Sequence, residues 1–281
     1  MNVGLTQKNI ITKDSLLYNG SALLYSVTAY FSGIIGLFSQ DILINIISIF
    51  VLAHGMIIAA YLVHECAHNL IFRKMLHNTY LGRALTWLCG ASYGTYEDIR
   101  YKHFRHHVDN DDVVWFDYED FFRNHPLILK IIQILEWFYI PIHEIIMHII
   151  MAFTSFFIDE RRDQRKRNIF VLLVRSSLFI SIAFYFPVVA LYYLVAYVIM
   201  MTVLRFMDSI QHDYSYNLTL FSNDRSERKG DFEWEQEHTF SNPISMKIPV
   251  LNWLVLNFGF HNAHHSDMTI PWYQLQEKHK E

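Results

Sequence analysis

The sequence predicts an all-α integral membrane protein, with four transmembrane helices in two hairpins and a cytoplasmic helical cap that holds a site for two metal ions. Three observations lead to this prediction: long apolar stretches that come in pairs, positive charges that lie on one side of them, and histidines that fall into three clusters. Of the 281 residues, 52% are hydrophobic, which is at the upper edge for a soluble protein.

Paired apolar stretches predict the two hairpins. The first hairpin combines residues 17–38 with residues 42–63, and each stretch of about 22 residues gives about 33 Å of helix, enough to cross a bilayer core of about 30 Å. The second hairpin combines residues 169–186 with residues 188–204. Arg175 lies inside the third span, and we expect its guanidinium to extend back to the membrane surface.

The positive charges predict the orientation. All 23 lysines and arginines lie in the N-terminal, central and C-terminal segments or near the same end of a span, and the two hairpin tips carry none. By the positive-inside rule, both termini and the central segment are cytoplasmic. Residues 64–168 and 205–281 would form the cap. Because no linker or internal repeat divides the chain, we expect one domain over residues 1–281.

Residues 127–158 allow two interpretations. They are strongly apolar, but polar side chains recur among them at helical spacing, and Pro141 lies near the middle. They form either a further span or a helix that lies at the interface or packs on protein, bent at Pro141. We favour the second, because a single crossing would conflict with the charge bias and would separate the last histidine cluster from the first two.

Charge and cysteine content exclude several classes of protein. A net charge of −4 gives no general attraction to nucleic acid. Cys66 and Cys89 are too few for a disulfide framework, and they lie in segments predicted to be cytoplasmic, where thiols stay reduced. The first apolar stretch is too long for a cleaved signal peptide and lacks a clear cleavage site.

The histidine clusters indicate a metal site. His64 and His68 form an i, i+4 pair, whose imidazoles share one helical face with Cβ atoms about 5–6 Å apart. The other two clusters have the spacing H-x-x-H-H, in His103, His106 and His107 and in His261, His264 and His265. A single pair occurs by chance, but a packed core has no reason to hold three clusters, and ionisable groups near membrane depth are usually functional.

The ligand type restricts the metal. Imidazole suits iron, zinc, copper and nickel, and the clusters lack the paired cysteines of a structural zinc site. Eight histidines exceed the three or four ligands of one zinc ion, so two metal ions are implied. Redox-active iron would explain so many neutral ligands, while the residues by themselves leave zinc open.

The order H-x-x-x-H, H-x-x-H-H, H-x-x-H-H, interleaved with two hairpins, resembles the membrane fatty acid desaturase and hydroxylase superfamily over residues 17–272. The resemblance implies two iron ions that use O₂ as co-substrate to oxidise an acyl chain, with no catalytic residue besides the metal ligands. Members carry a ninth histidine after the last span, and His212 stands in that place. Residues 237–243 resemble the segment before the third box of bacterial acyl-lipid desaturases.

Four further residues are candidates for supporting roles. Asp98 and Asp208 could accept N–H groups of ligand imidazoles, and the alternative for each is a solvated carboxylate. Asn257, four residues before His261, holds a metal-bound water or is an ordinary helix asparagine. His54, inside the second span, lines a substrate channel or packs against a neighbouring helix.

The resemblance implies a fatty acyl desaturase that introduces a double bond, with a fatty acyl or lipid hydroxylase on the same centre as the alternative. More distant alternatives are a histidine-rich membrane zinc hydrolase and a non-enzymatic metal transporter or receptor. A transporter should carry its ligands at mid-membrane, whereas these clusters lie at span ends or beyond.

Substrate and electron donor must come from outside the chain. The acyl group would be bound to a membrane lipid, to CoA or to acyl carrier protein. The sequence has no haem-binding H-P-G-G motif and no ferredoxin cysteine set, so a separate ferredoxin, rubredoxin or cytochrome b5 would deliver electrons. The basic run at residues 161–167 either docks such a partner or anchors the chain beside a span.

Overall fold

The computed structural model describes residues 13–214, 217–221 and 226–280, and these are mostly helical, as predicted. The α-helices are α1 Lys13–Gly36, α2 Ile42–Ala67, α3 Met75–Leu88, α4 Tyr96–Asp109, α5 Tyr118–Asn124, α6 Pro126–Trp137, α7 Ile142–Phe157, α8 Arg165–Tyr185, α9 Pro187–Ser209, α10 Phe232–Glu237, α11 His261–Ser266 and α12 Leu275–Lys278. Short 3-10 helices cover Ala91–Tyr93, Asp159–Gln164, Pro249–Val255 and Trp272–Gln274. Strands β1 Asp112–Val114 and β2 Asn217–Thr219 pair in parallel.

The first predicted hairpin is formed by α1 and α2. The carboxylate of Asp41 caps α2 by accepting a hydrogen bond of 2.8 Å from the backbone N–H of Leu43. The Ser26 hydroxyl donates to the carbonyl of Gly55 at 2.8 Å. A Cβ atom at Gly55 would lie 2.8 Å from the backbone nitrogen of Tyr30, so the missing side chain lets the two helices approach closely.

Three helical stretches are long and apolar enough to cross a membrane: α2, Asp159–Tyr185, which includes α8, and α9. Exposed apolar side chains cover α8, for example Leu173, Leu178 and Phe184, as a lipid-facing helix requires. The predicted first span, α1, has the length but is not among the three, because Asn19 and several hydroxyl side chains dilute its apolar content. Four spans in two hairpins therefore stay a prediction. The two ends of the protein chain, residues 1–12 and 281, lie outside the described residues.

The ambiguous stretch is divided into α6 and α7, which meet at an angle of 117°. The break precedes Pro141, where a bend was predicted, and Tyr139 in it has a positive φ of 60°. Leu127, Ile131 and Ile134 form an exposed apolar face along α6. The two helices together are apolar enough to cross a membrane, so the bent pair is either a broken span or a re-entrant or interfacial segment.

Two arginines of α8, Arg167 of the predicted basic run and Arg175, bind residues that precede α4. The Arg167 guanidinium donates to the carbonyls of Ser92 and Gly94, both at 2.9 Å. Arg175, expected to extend to the membrane surface, instead donates to the Trp87 carbonyl and the Ser92 hydroxyl, both at 3.1 Å. Acceptors within the protein therefore bind the Arg175 guanidinium, and its extension to the membrane surface stays a prediction.

Candidate metal centre

Four parts of the chain bring the predicted ligands together: the C-terminus of α2, α4, the turn after α9, and α11. His64 lies in the last turn of α2, and His68 is its C-terminal cap residue. The side chain of Thr95 begins α4 by accepting a hydrogen bond of 3.0 Å from the Asp98 backbone N–H. His212 is held in place by a bridge between its backbone and that of Thr239.

Five imidazoles form the first cluster, with ligand nitrogens within 4.8 Å of one another: His64, His68, His103, His107 and His264. The Nε2 atoms of His68 and His103 lie 2.6 Å apart. The Nε2 of His264 lies 3.1 Å from the Nε2 of both His64 and His107. Each ring nitrogen carries either one proton or one lone pair, so linear hydrogen bonds cannot serve all of these contacts. A metal cation that accepts the lone pairs of these nitrogens would explain why they lie so close together.

Four imidazoles form the second cluster: His106, His212, His261 and His265. The Nε2 of His212 lies 3.0 Å from that of His106 and 2.8 Å from that of His261. The Nε2 of His265 is buried and has no hydrogen-bond partner in the part of the chain that the structure describes. A buried nitrogen without a partner is costly in a folded protein and is explained here if a metal ion binds it.

Each H-x-x-H-H box contributes to both clusters. In α4, His103 and His107 belong to the first cluster and His106 to the second. In α11 the division is reversed, because His261 and His265 belong to the second cluster and His264 to the first. Neighbouring helical residues point about 100° apart, so the two adjacent histidines of a box are turned toward different clusters. The imidazoles of each box are thus divided between the two clusters.

Acceptors behind the imidazoles determine which nitrogen carries the lone pair. The Nδ1 of His106 donates to the Asp111 carbonyl at 3.1 Å, and the Nδ1 of His265 donates to Oε1 of Glu235 at 2.6 Å. The Nδ1 of His64 lies 3.4 Å from Oε1 of Glu65. A proton on Nδ1 leaves the Nε2 lone pair free for a metal.

Sequence reasoning missed both Glu65 and Glu235 as part of the site. Glu65 directly follows the predicted ligand His64, and this position could have identified it from the sequence. Its Oε2 accepts a hydrogen bond of 3.1 Å from the Trp272 backbone N–H. Glu235 lies thirty residues before His265, and no spacing rule joins the two.

The site keeps its histidines neutral. Burial lowers the pKa of His103, His261 and His264 well below the ordinary value of imidazole. Neutral imidazole is the form that binds metal ions. Burial also raises the pKa of Glu235 to about 7, and a nearby cation would favour its ionised form.

Neither predicted carboxylate orients an imidazole. Asp98 accepts hydrogen bonds from Gln164 at 2.8 Å and Arg161 at 2.9 Å, because it lies in the first turn of α4 and faces the basic segment. Asp208 is 71% exposed on its side chain and lies 3.9 Å from Arg205. Among the described residues, neither has a hydrogen bond to a clustered histidine. Exposure favours the solvated alternative for Asp208, whereas Asp98 is buried and fits neither interpretation.

His54 and Asn257 have structural contacts. The Nδ1 of His54 lies 2.5 Å from the Tyr25 hydroxyl and its Nε2 lies 3.0 Å from the Leu254 carbonyl, which favours packing over a channel lining. Asn257 donates from Nδ2 to the Trp272 carbonyl at 3.0 Å, while its Oδ1 is buried with no partner within the described ranges. Its predicted role in holding water stays a prediction.

A comparison with known protein families identifies the family to which this fold and site belong. A model of the family described as fatty acid desaturase matches residues 42–281. The match covers most of the chain, so the protein belongs to the fatty acid desaturase family, within the membrane fatty acid desaturase and hydroxylase superfamily, as predicted. Membership implies an oxidoreductase. No curated protein and no solved structure gives a significant match to the chain.

The residues present fit the pair of iron ions for which this family is known. Two adjoining clusters supply five and four imidazoles, and the rings of His107 and His265 meet at a centroid distance of 4.2 Å. Imidazole nitrogen suits iron, and the five donors of the first cluster exceed the four ligands of a tetrahedral zinc site.

Proposed function

We propose that the protein is a membrane di-iron, O₂-dependent fatty acyl desaturase. The observation that carries the proposal is the pair of adjoining, all-histidine clusters in a chain of the fatty acid desaturase family. One iron ion would bind the first cluster and the second ion the other. The proposed ligands are His64, His68, His103, His106, His107, His212, His261, His264 and His265.

Iron reduced by an external donor would activate O₂, and O₂ would supply the oxidising power for an unactivated C–H bond, which side chains lack. The residues hold the ions at fixed positions and keep water out. Phe258 supports this part of the proposal, because its ring packs against His64 at 4.8 Å, Tyr61 at 4.8 Å and His261 at 5.0 Å. It forms an apolar wall beside both clusters, suited to a dry site and to an acyl chain.

We extend the proposal to the setting of the site. Residues 1–281 would form one domain with four spans, with both chain ends and the metal site on the cytoplasmic side, as the positive charges indicate. The substrate would be an acyl chain on a lipid, on CoA or on acyl carrier protein. The donor would be a separate ferredoxin, rubredoxin or cytochrome b5. Hydroxylation on the same centre is the second candidate, because the superfamily contains both activities.

Metal and product analysis of the purified protein tests the proposal. Protein from iron-replete cells should contain two iron ions per chain, and with O₂, donor and acyl lipid it should form a product lighter by two hydrogens. A product heavier by one oxygen would identify a hydroxylase. His264→Ala should abolish product, whereas His77→Ala, at an exposed histidine outside the clusters, should not. Stoichiometric zinc with iron-independent activity would contradict the proposal.

A further inference from the structure

We propose that Glu235 is a positioning residue shared by the two metal clusters, whose carboxylate orients His265 of the second and His107 of the first. The proposal rests on the proposed function only in that both clusters hold metal. Glu235 lies in the short helix α10, and it is 7% exposed. Its Oε1 accepts the Nδ1–H of His265 at 2.6 Å.

The position of Glu235 near His107 extends the role to the first cluster. One ligand-type atom from each of His107, Glu235 and His265 lies within 4.8 Å of the other two. The Nε2 of His107 faces the first cluster, 3.1 Å from the Nε2 of His103. Its Nδ1 is buried and has no hydrogen-bond partner in the described part of the chain. A carboxylate has two oxygens and can accept N–H groups from both imidazoles.

The helix that carries Glu235 is itself held against the second cluster. The Asp231 side chain caps α10 by accepting a hydrogen bond of 3.1 Å from the Trp234 backbone N–H. The Trp234 ring stacks on Tyr214 at 5.3 Å, and Tyr214 packs on His212 at 4.3 Å. These rings limit the movement of α10, so the Glu235 carboxylate is held in one place.

The negative charge of Glu235 can offset the repulsion between the two metal ions. Nine neutral imidazoles do nothing to offset the repulsion between two divalent ions. Glu65 lies behind the first cluster only, whereas Glu235 lies where the clusters adjoin. A carboxylate behind an imidazole fixes the ring and raises the basicity of the nitrogen that binds the metal, and loss of such a partner typically costs about 10–100-fold in metal affinity or activity. We therefore infer that Glu235 stabilises both ions.

Substitution of Glu235 with a matched control tests the inference. Glu235→Gln keeps the shape and removes the charge, and Glu235→Asp keeps the charge on a shorter side chain. Glu233→Gln is the control, because Glu233 is exposed on the same helix. Iron retention is measured against a competing chelator, and Mössbauer spectra of ⁵⁷Fe-loaded protein report each iron ion.

We expect Glu235→Gln to weaken iron retention by about 10–100-fold and to change the signals of both ions. Glu235→Asp should recover part of the retention, and Glu233→Gln should match the wild type. Equal thermal stability of the metal-free variants would show that the fold is intact. Wild-type retention in Glu235→Gln overturns the inference, and so does a change confined to one ion. If the wild type holds zinc, the proposed function is wrong. Comparing zinc retention in the wild type and in Glu235→Gln then still tests the role of Glu235.

Discussion

At the scale of single residues, the group behind each imidazole decides what the imidazole can do. The carbonyl of Asp111 can only accept a hydrogen bond, so His106 carries its proton on Nδ1 and turns the Nε2 lone pair toward the second cluster. An ionised Glu235 also only accepts, so His265 in front of it carries its proton on Nδ1 in the same way. Two ordinary hydrogen bonds therefore prepare two rings for a metal ion before any ion is bound.

The adjacent residues His106 and His107 provide a test at this scale, because they belong to different clusters. His106→Ala leaves three imidazoles in the second cluster, and His107→Ala leaves four in the first. We expect each variant to lose activity, and His106→Ala to lose one iron ion more completely than His107→Ala. Iron analysis with Mössbauer spectroscopy should show loss from a different ion in each. Two intact iron ions in both variants would contradict the division into clusters.

At the scale of elements, helix periodicity and the breaks between helices position the ligands. The α4 helix ends at Asp109, and its C-terminal cap residue Asn110 has a left-handed φ of 54°, so the chain turns away shortly after the second box. Between α6 and α7 the break at residues 138–141 turns the chain by 117°. A chain turned this sharply can return to the side from which it came, as the positive charges on both flanks predict.

Reporter fusions test the path of this bent pair. Asn124 ends α5, and Gln164 ends the 3-10 helix after α7. Fusions after both residues should report the cytoplasmic side, and a fusion at Gln40 in the first hairpin turn should report the opposite side. A fusion after Arg123 serves as a replicate for the first position. If Gln164 reports the outside while Asn124 reports the inside, the pair is a span and a single metal site cannot form.

At the scale of the whole molecule, the metal site joins segments that are distant in sequence. Trp272 and Glu65, which are bonded through a backbone N–H, are 207 residues apart, and His264 lies 200 residues from His64. The nine proposed ligands can meet only in the folded chain. Metal bound there should therefore stabilise the native state over the unfolded one.

Removal of metal tests this coupling. A ligand that binds only the folded state at one hundred times its Kd stabilises it by about 2.7 kcal/mol. We expect a chelator to lower the Tm of the detergent-solubilised protein, and anaerobic addition of ferrous iron to restore it. His264→Ala should show a smaller shift, and His77→Ala should show the wild-type shift. A Tm that is insensitive to metal in the wild type would contradict the coupling.

The sequence by itself determined the helical class, the hairpin of residues 17–38 and 42–63, the nine histidines that meet, and the family, because each depends on local spacing or composition. Apolar length and helical periodicity act within a few turns of chain. Carboxylates were predicted less well. Asp98 was a candidate for an acceptor behind an imidazole and instead pairs with Arg161, because spacing along the chain does not show which partner a side chain contacts.

Only the tertiary structure decided which imidazole belongs to which cluster, and which carboxylates lie behind them. His264 joins the first cluster although its box mates join the second, and Glu235 reaches His265 from another helix. Such contacts depend on how α4, α10 and α11 pack, and a difference of one helical position turns a side chain by about 100°. The physical reason is that ligand type is a property of the residue, whereas coordination is a property of the packed helices.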